Sequence, residues 1–190
     1  MIDMTRKQII EAFPEVEWIQ SEELREKVIA IWQKACAESP HTSIYNGVFN
    51  KNYDPAADFR DGLVYHTRLT TQLAYNCAKA HNALEEKQLD LDVIVAGGLL
   101  HDVCKIVEKG PGGVSTEWGK HITHGIYSVI VAKEFDLPME ILHIICAHTV
   151  NLNMQTKTTE AAIVHHCDYM ASDICHLKHG RLSKNQVIKN

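Results

Sequence analysis

The stretch Gly97-Gly-Leu-Leu-His-Asp-Val-Cys-Lys105 decides the fold, because it ends a strongly apolar helical segment with an adjacent histidine and aspartate. We predict a helix over 89–105 whose side chains are apolar almost all round, as in the central helix of a bundle. Gly97 and Gly98 lower its helix propensity, so we expect them to permit close packing against a neighbouring helix. Burying His101 and Asp102 without partners would be costly, and a bound metal ion would satisfy both more simply than a hydrogen-bonded pair at a helix end.

Four further side chains of the metal-ligand type lie before and after this pair. Each alone is more often an ordinary core, capping or surface residue, but their ordered occurrence predicts a metal site. Imidazole and carboxylate ligands together favour Mn, Fe, Co, Ni or Zn, and we expect one or two such divalent ions. A second ion would use His124 and His148, with Asp102 as a bridge between the two ions. The alternative is that His124 and His148 contact the substrate over a single ion. The candidate ligands are His66, His101, Asp102, His124, His148 and Asp168.

Helical periodicity over most of the 190 residues predicts an all-α, single-domain helical bundle. Two N-terminal helices and a long loop (1–57) are expected to pack on a metal-binding helical domain (58–180), followed by a polar tail (181–190). Glycine and proline near 109–113 predict a turn, and a short β-hairpin is an option over 106–118. The predicted helices are 5–13, 16–37, one with His66 near its start, 89–105, 120–135, 138–148 and 159–179.

Composition limits the classes of function. Apolar residues make up 45% and charged residues 23%, which is ordinary for a soluble protein, and the net charge of −5 disfavours nucleic-acid binding. No segment approaches the roughly 20 apolar residues needed to span a membrane. Six cysteines without a C-x-x-C pair, and the lack of a secretory signal, predict reduced structural thiols in a cytoplasmic protein. The N-terminal helices, with Trp18 and Trp32, could cover the core or form the surface of a homodimer.

Taken together, these motifs resemble the HD-domain superfamily of metal-dependent phosphohydrolases over about 58–175. The resemblance implies an all-α bundle in which His66, His101, Asp102 and Asp168 bind one ion. His124 and His148 match the additional ligands of the dinuclear branch. Cys104 replaces the glycine that is usual there, and Thr149 follows His148 where many dinuclear members have a second histidine. The matching motifs are Gly62-Leu-Val-Tyr-His-Thr67, Gly97 to Lys105, His124-Gly125, His148 and His165-His-Cys-Asp-Tyr169.

The expected reaction is hydrolysis of a small phosphorylated metabolite or nucleotide by metal-activated water. Asp102 and Lys105 are the candidate catalytic residues, since Lys105 follows the pair by one turn and could orient a phosphate oxygen. Arg68 and His121 are candidate substrate contacts, with His121 expected to share a helix face with His124. Three alternatives stay open: a metal-dependent hydrolase of a C–C or C–N bond in a small cyclic substrate, a di-iron oxygenase of the same fold, and a non-catalytic metal-stabilised binding or sensor protein.

Overall fold

A computed structural model describes residues 2–49, 62–149 and 152–178 of the chain. The regular structure of these residues is helical and contains no β-strand, which confirms the predicted all-α class. Short 3-10 helices lie at Pro14–Trp18, Ile44–Asn46 and Pro111–Gly113. The α-helices are α1 (Arg6–Ala12), α2 (Glu22–Glu38), α3 (Leu63–Leu84), α4 (Leu91–Leu100), α5 (Lys105–Glu108), α6 (Glu117–His121), α7 (His124–Glu134), α8 (Met139–Ala147) and α9 (Thr159–Lys178).

Helix α4 lies at the centre of the bundle and packs against α2, α3, α8 and α9. Its two glycines allow this packing, as expected from the sequence. A Cβ atom on Gly97 would lie 2.6 Å from Ile144 Cδ1, and one on Gly98 would lie 3.1 Å from the Cα atom of Thr71. The helix therefore meets α8 and α3 at distances that a larger residue would not permit.

The predicted helix 89–105 is wrong at its C-terminal end. Helix α4 ends at Leu100, a turn follows over 101–104, and the chain re-enters a helix at Lys105. The turn is held by hydrogen bonds of shorter span, from Val103 N to Leu100 O (3.2 Å) and from Lys105 N to Asp102 O (2.9 Å). Because the helix stops there, Asp102 leaves the apolar helix surface and points into the space between helix ends.

Two other predicted helices are interrupted. In place of one helix over 16–37, a 3-10 helix is followed by α2, whose N-terminus is capped by Ser21. The Asp92 carboxylate accepts hydrogen bonds from Gln20 N and Ser21 N, both at 2.8 Å, so a tertiary contact stabilises this break. The predicted helix 120–135 is divided into α6 and α7, and His121 therefore does not share a helix with His124.

The N-terminal helices complete the core. Trp32 is fully buried, donates its indole N–H to Leu99 O (3.1 Å) and packs against Phe13, with ring centroids 4.3 Å apart. Trp18 packs against Tyr75 of α3 at 4.8 Å. Among the alternatives for these helices, the contacts of both tryptophans support covering of the core.

The segment near 106–118 forms no hairpin of strands. A single antiparallel bridge joins Lys109 and Ser115 around the Pro111–Gly113 turn, because short helices take up the residues on both sides. Within the described residues, no helix is both long and apolar enough to cross a membrane. The polar tail 181–190, the predicted end of the last helix at 179 and most of the loop before Gly62 lie outside the described residues, so the domain boundaries stay a prediction.

Candidate metal centre

The six predicted ligands lie on or directly after five helices, α3, α4, α7, α8 and α9, and come together at the C-terminal end of α4. His101 and His148 are the C-terminal caps of α4 and α8, and His124 is the first residue of α7. His66 lies in the first turn of α3, and Asp168 lies within α9. Because five of the six ligands lie at or just beyond helix ends, the apolar helix faces stay free to pack, and the sequence can place a polar cluster inside the bundle.

The first ligand group consists of His66, His101, Asp102 and Asp168. His66 Nε2 lies 2.9 Å from Asp168 Oδ1 and 3.4 Å from His101 Nε2. Asp102 Oδ2 lies 3.5 Å from the Nε2 atoms of both histidines. The side chains of His66, His101 and Asp102 are fully buried, and that of Asp168 is 13% exposed. These four ligand atoms enclose a small polar space of the size that one ion needs.

The second ligand group consists of His124, His148 and the same Asp102. Asp102 Oδ1 lies 3.0 Å from His124 Nε2 and 3.3 Å from His148 Nε2. The 3.0 Å approach lacks hydrogen-bond alignment, since Asp102 Oδ1 and His124 Nε2 are buried without a hydrogen-bond partner. Buried polar atoms without partners are costly, and a divalent ion between them would satisfy both.

The ring orientations of three histidines leave Nε2 available to an ion. His101 Nδ1 contacts Gly98 O at 2.6 Å and His148 Nδ1 contacts Ile145 O at 2.7 Å. His124 Nδ1 contacts Glu108 Oε2. Because a carbonyl or carboxylate accepts the proton on Nδ1, the lone pair is on Nε2, which faces the cluster.

His66 is held differently. Its Nδ1 is buried and has no hydrogen-bond partner. The ring instead stacks on Phe49, with centroids 3.8 Å apart and planes inclined by 24°. On the side away from the cluster, packing therefore supports this imidazole, where a hydrogen bond to Nδ1 supports each of the other three.

The charges of the first ligand group suit metal binding. Burial lowers the pKa of His101 to about 4, so its imidazole is neutral near pH 7. Burial opposes ionisation of Asp102, but Lys105, His101 and His124 outweigh it and hold the Asp102 pKa well below its ordinary value. Burial likewise opposes ionisation of Asp168, but His66 and His101 lower the Asp168 pKa to about 2. Neutral imidazoles and ionised carboxylates are the forms that bind a divalent ion.

Lys105 lies at the edge of the cluster. Its ammonium group is 2.6 Å from Asp102 Oδ2 and 5.1 Å from the centroid of the Phe49 ring. Burial opposes the charge on Lys105, but Asp102 and Asp168 raise the Lys105 pKa, so the side chain stays cationic. At 17% exposure, this side chain connects the buried carboxylate with the solvent side.

The structure does not bring the two candidate substrate contacts into the cluster. Arg68 forms an ion pair with the buried Glu15, with Arg68 Nε and Glu15 Oε1 3.0 Å apart. His121 is exposed at the end of α6, where its Nδ1 contacts Glu117 O at 2.9 Å. Cys104 is buried in the core, its backbone N–H bonds to Ser128 Oγ, and burial raises the Cys104 pKa to about 12, so it packs as a small apolar residue.

Sequence reasoning missed two residues at the centre, Glu108 and Phe49. Glu108 follows Asp102 by six residues, and no motif marks it; its role depends on the turn that brings α5 against His124. Phe49 precedes His66 by 17 residues in an irregular segment, where a single aromatic residue carries no signal of this kind.

Two comparisons relate this chain to known proteins. A family model described as the HD domain matches residues 63–173, which is more than half of the chain. The chain is also 28% identical over 167 residues to a dihydroneopterin 2',3'-cyclic phosphate phosphodiesterase of Methanocaldococcus jannaschii, with 83% of this chain and 66% of that enzyme covered. No solved structure matched the chain.

That relative is described as a phosphodiesterase, and this chain spans just under two thirds of its length. The matched segment begins at the first residue of α3 and contains all six candidate ligands. The chain therefore belongs to the HD-domain family.

Proposed function

We propose that this protein hydrolyses a phosphodiester of a small metabolite or nucleotide at a pair of divalent metal ions. The proposal rests on one observation, which is that the two carboxylate oxygens of Asp102 face different pairs of histidines. One carboxylate oxygen faces His66 and His101, and the other faces His124 and His148. A carboxylate placed in this way can bridge two ions, as two-metal phosphoester hydrolysis requires.

The donor atoms narrow the choice of metal. His66, His101, Asp102 and Asp168 would hold one ion, and Asp102, His124 and His148 the other. Four imidazoles and two carboxylates favour Mn, Fe, Co, Ni or Zn over Ca or Mg. Such ions, when bound, lower the pKa of water and withdraw charge from a phosphoryl oxygen.

The residues around the ligands have separate roles in the proposal. Asp102 and Lys105 are the proposed catalytic residues: Asp102 would contribute a ligand to each ion, and Lys105 would present a positive charge to a phosphate oxygen from the exposed side. Bulk water is excluded from the rest of the cluster by burial, so the charge of Lys105 acts in a low dielectric. Arg68 and His121 stay candidates for substrate contact only if their present partners, Glu15 and Glu117, release them.

The proposed substrate class rests on the relative from Methanocaldococcus jannaschii. That enzyme is described as a phosphodiesterase acting on a cyclic phosphate, and its similarity covers 83% of this chain. We therefore place phosphodiesters, including 2',3'-cyclic phosphates, before phosphomonoesters.

The test is a substrate and metal panel on the full chain. After chelation, activity towards bis(p-nitrophenyl) phosphate and 2',3'-cyclic nucleotides should return with one of Mn, Fe, Co, Ni or Zn, and p-nitrophenyl phosphate should be a poorer substrate. Asp102→Asn should be inactive, whereas Asp136→Asn, a change at a side chain that is 85% exposed, should retain activity. Turnover that survives Asp102→Asn would refute the site.

The alternatives make different predictions in the same experiment. Two irons per chain with oxygen uptake, and no phosphate-ester turnover, would identify an oxygenase. Metal-dependent cleavage of a C–C or C–N bond without activity on phosphodiesters would identify the other hydrolase. A bound metal without turnover of any substrate class would favour a binding or sensor protein.

A further inference from the structure

We infer that Glu108 is a positioning residue that sets the affinity of the second ion through His124, without touching that ion. The inference rests on the proposed function, because it assumes that His124 and His148 bind an ion. It assigns to α5 and α6, which lie between Asp102 and His124 along the chain, a role that the ligand set does not contain.

Glu108 holds His124 at two points. Its Oε2 atom accepts a hydrogen bond from the backbone N–H of His124 at 3.0 Å and also contacts Nδ1 of the same residue. The first contact fixes the start of α7, and the second fixes the imidazole ring with Nε2 towards Asp102 Oδ1. The side chains of Glu108 and His124 are only 15% and 12% exposed, so water competes weakly for these contacts.

His124 differs in this respect from the other ligand histidines. The Nδ1 atoms of His101 and His148 contact neutral backbone carbonyls, and that of His66 has no partner. A carboxylate behind an imidazole makes Nε2 a stronger donor to a metal than a carbonyl does. The only carboxylate in the second group is Asp102, which is shared with the first group. The negative charge of Glu108 therefore adds to the low negative charge around the second ion.

Helix α6 and its N-terminal cap hold Glu108 in position. The Glu108 carbonyl accepts hydrogen bonds from Thr116 N (3.1 Å) and Thr116 Oγ1 (3.2 Å). Helix α6 then passes so close that a Cβ atom on Gly119 would overlap the Glu108 carbonyl oxygen and lie 2.9 Å from Glu108 Cγ. Any side chain at position 119 would displace Glu108 or α6, so Gly119 is the residue that permits this arrangement.

The experiment is a calorimetric titration of the metal-free full chain with Mn²⁺, together with elemental analysis of the bound metal. The wild-type protein should bind two ions per chain. Glu108→Gln keeps the size of the side chain but removes its charge, and it should weaken the second ion by about 10- to 100-fold while the first is unchanged. Gly119→Ala, which keeps the carboxylate but displaces it, should act in the same direction.

Lys109→Met is the matched control. Lys109 Nζ lies 3.5 Å from Glu108 Oε1, the oxygen that does not contact His124, and it also bonds to Ser115 Oγ at 2.8 Å. Removing this cation takes away a neighbour of Glu108 without touching its bond to His124, so both affinities should stay as in the wild type. A purely structural role for Glu108 would instead weaken both ions together in Glu108→Gln.

A measurement on the wild-type protein guards against variants that do not fold. The His124 Nδ1 proton should give a strongly deshielded NMR signal typical of an imidazole bonded to a carboxylate. The inference is overturned if that signal is absent, if the wild type binds no second ion, or if Glu108→Gln binds it normally. Two ions with the expected loss in Glu108→Gln, but no phosphodiester turnover, would refute the proposed function and support this inference.

Discussion

The two ligand groups of the centre share Asp102 but differ in almost every other respect. The first has two carboxylates and two imidazoles, and three of its four side chains are fully buried. The second has the shared carboxylate and two imidazoles, with His124 partly exposed and supported by Glu108. More protein ligands and deeper burial should make the first ion the tighter one, whereas the second group leaves more coordination positions for water and substrate. Asp102 thus joins a more enclosed ligand group to a more open one.

The largest effect should come from replacing Asp102, the residue that the two groups share. We expect Asp102→Asn to lose both ions and to lower turnover by on the order of 10³-fold or more, since the loss should exceed that of one stabilising group. Elemental analysis and a phosphodiester assay measure the two effects. Retention of one tightly bound ion would mean that Asp102 does not bridge.

The next comparison removes one histidine from each group. His101→Ala should abolish binding of the first ion, while His148→Ala should abolish binding of the second and leave the first. Each loss of affinity should exceed the roughly 10- to 100-fold change typical of residues behind the ligands. Titration of the metal-free variants measures this, and identical profiles for the two variants would contradict the division into groups.

A smaller effect is expected at Phe49, which supports His66 in the first group. Phe49→Leu should weaken the first ion by about three- to tenfold, because an aromatic pair contributes about 0.5–1.5 kcal/mol beyond its buried area. Phe49→Tyr should keep the stacking and the affinity, and so serves as the control. Equal weakening of the second ion by Phe49→Leu would show that the stacking acts on the whole cluster.

The smallest expected difference between the two groups is the pH at which their histidines take up protons in the metal-free protein. Burial lowers the pKa of His101 to about 4. Burial and Lys105 oppose protonation of His124, but Asp102 and Glu108 outweigh them and raise its pKa. As the pH falls, His124 should therefore take up its proton well before His101, which NMR titration of the imidazoles can follow. The reverse order would show that the two environments are assigned wrongly.

The lowered pKa of His101 and the raised pKa of His124 change the free energy of unfolding in opposite directions as the pH changes. His101 favours the fold fully above pH 6.5, the ordinary histidine pKa, and this contribution falls as the pH drops towards 4. His124 favours the fold below pH 6.5 and loses this contribution as the pH rises through its raised pKa. In His101→Gln, the loss of stability of the metal-free protein between pH 6.5 and 4 should become smaller, as denaturant titration can test.

Several of the helix boundaries show why sequence patterns could not give the whole site. The apolar run before His101 predicts a helix, but nothing in it says that the helix stops at Leu100, because the following turn depends on hydrogen bonds and packing around Val103 and Cys104. The division between α6 and α7 was missed because Ile122 and Thr123 carry no glycine or proline signal. Those two breaks are what let Asp102 and His124 face each other.

The sequence by itself determined the all-α class, the central apolar helix with its close-packed glycines, and the set of imidazole and carboxylate side chains that the structure brings together. These depend on residue type and spacing, which a single chain displays directly. Only the tertiary structure decided which oxygen of Asp102 faces which histidines, and that Glu108 and Phe49 support two of the rings. Such contacts join residues that are far apart along the chain or separated by a turn, and their geometry is fixed when helix ends meet around a shared buried centre.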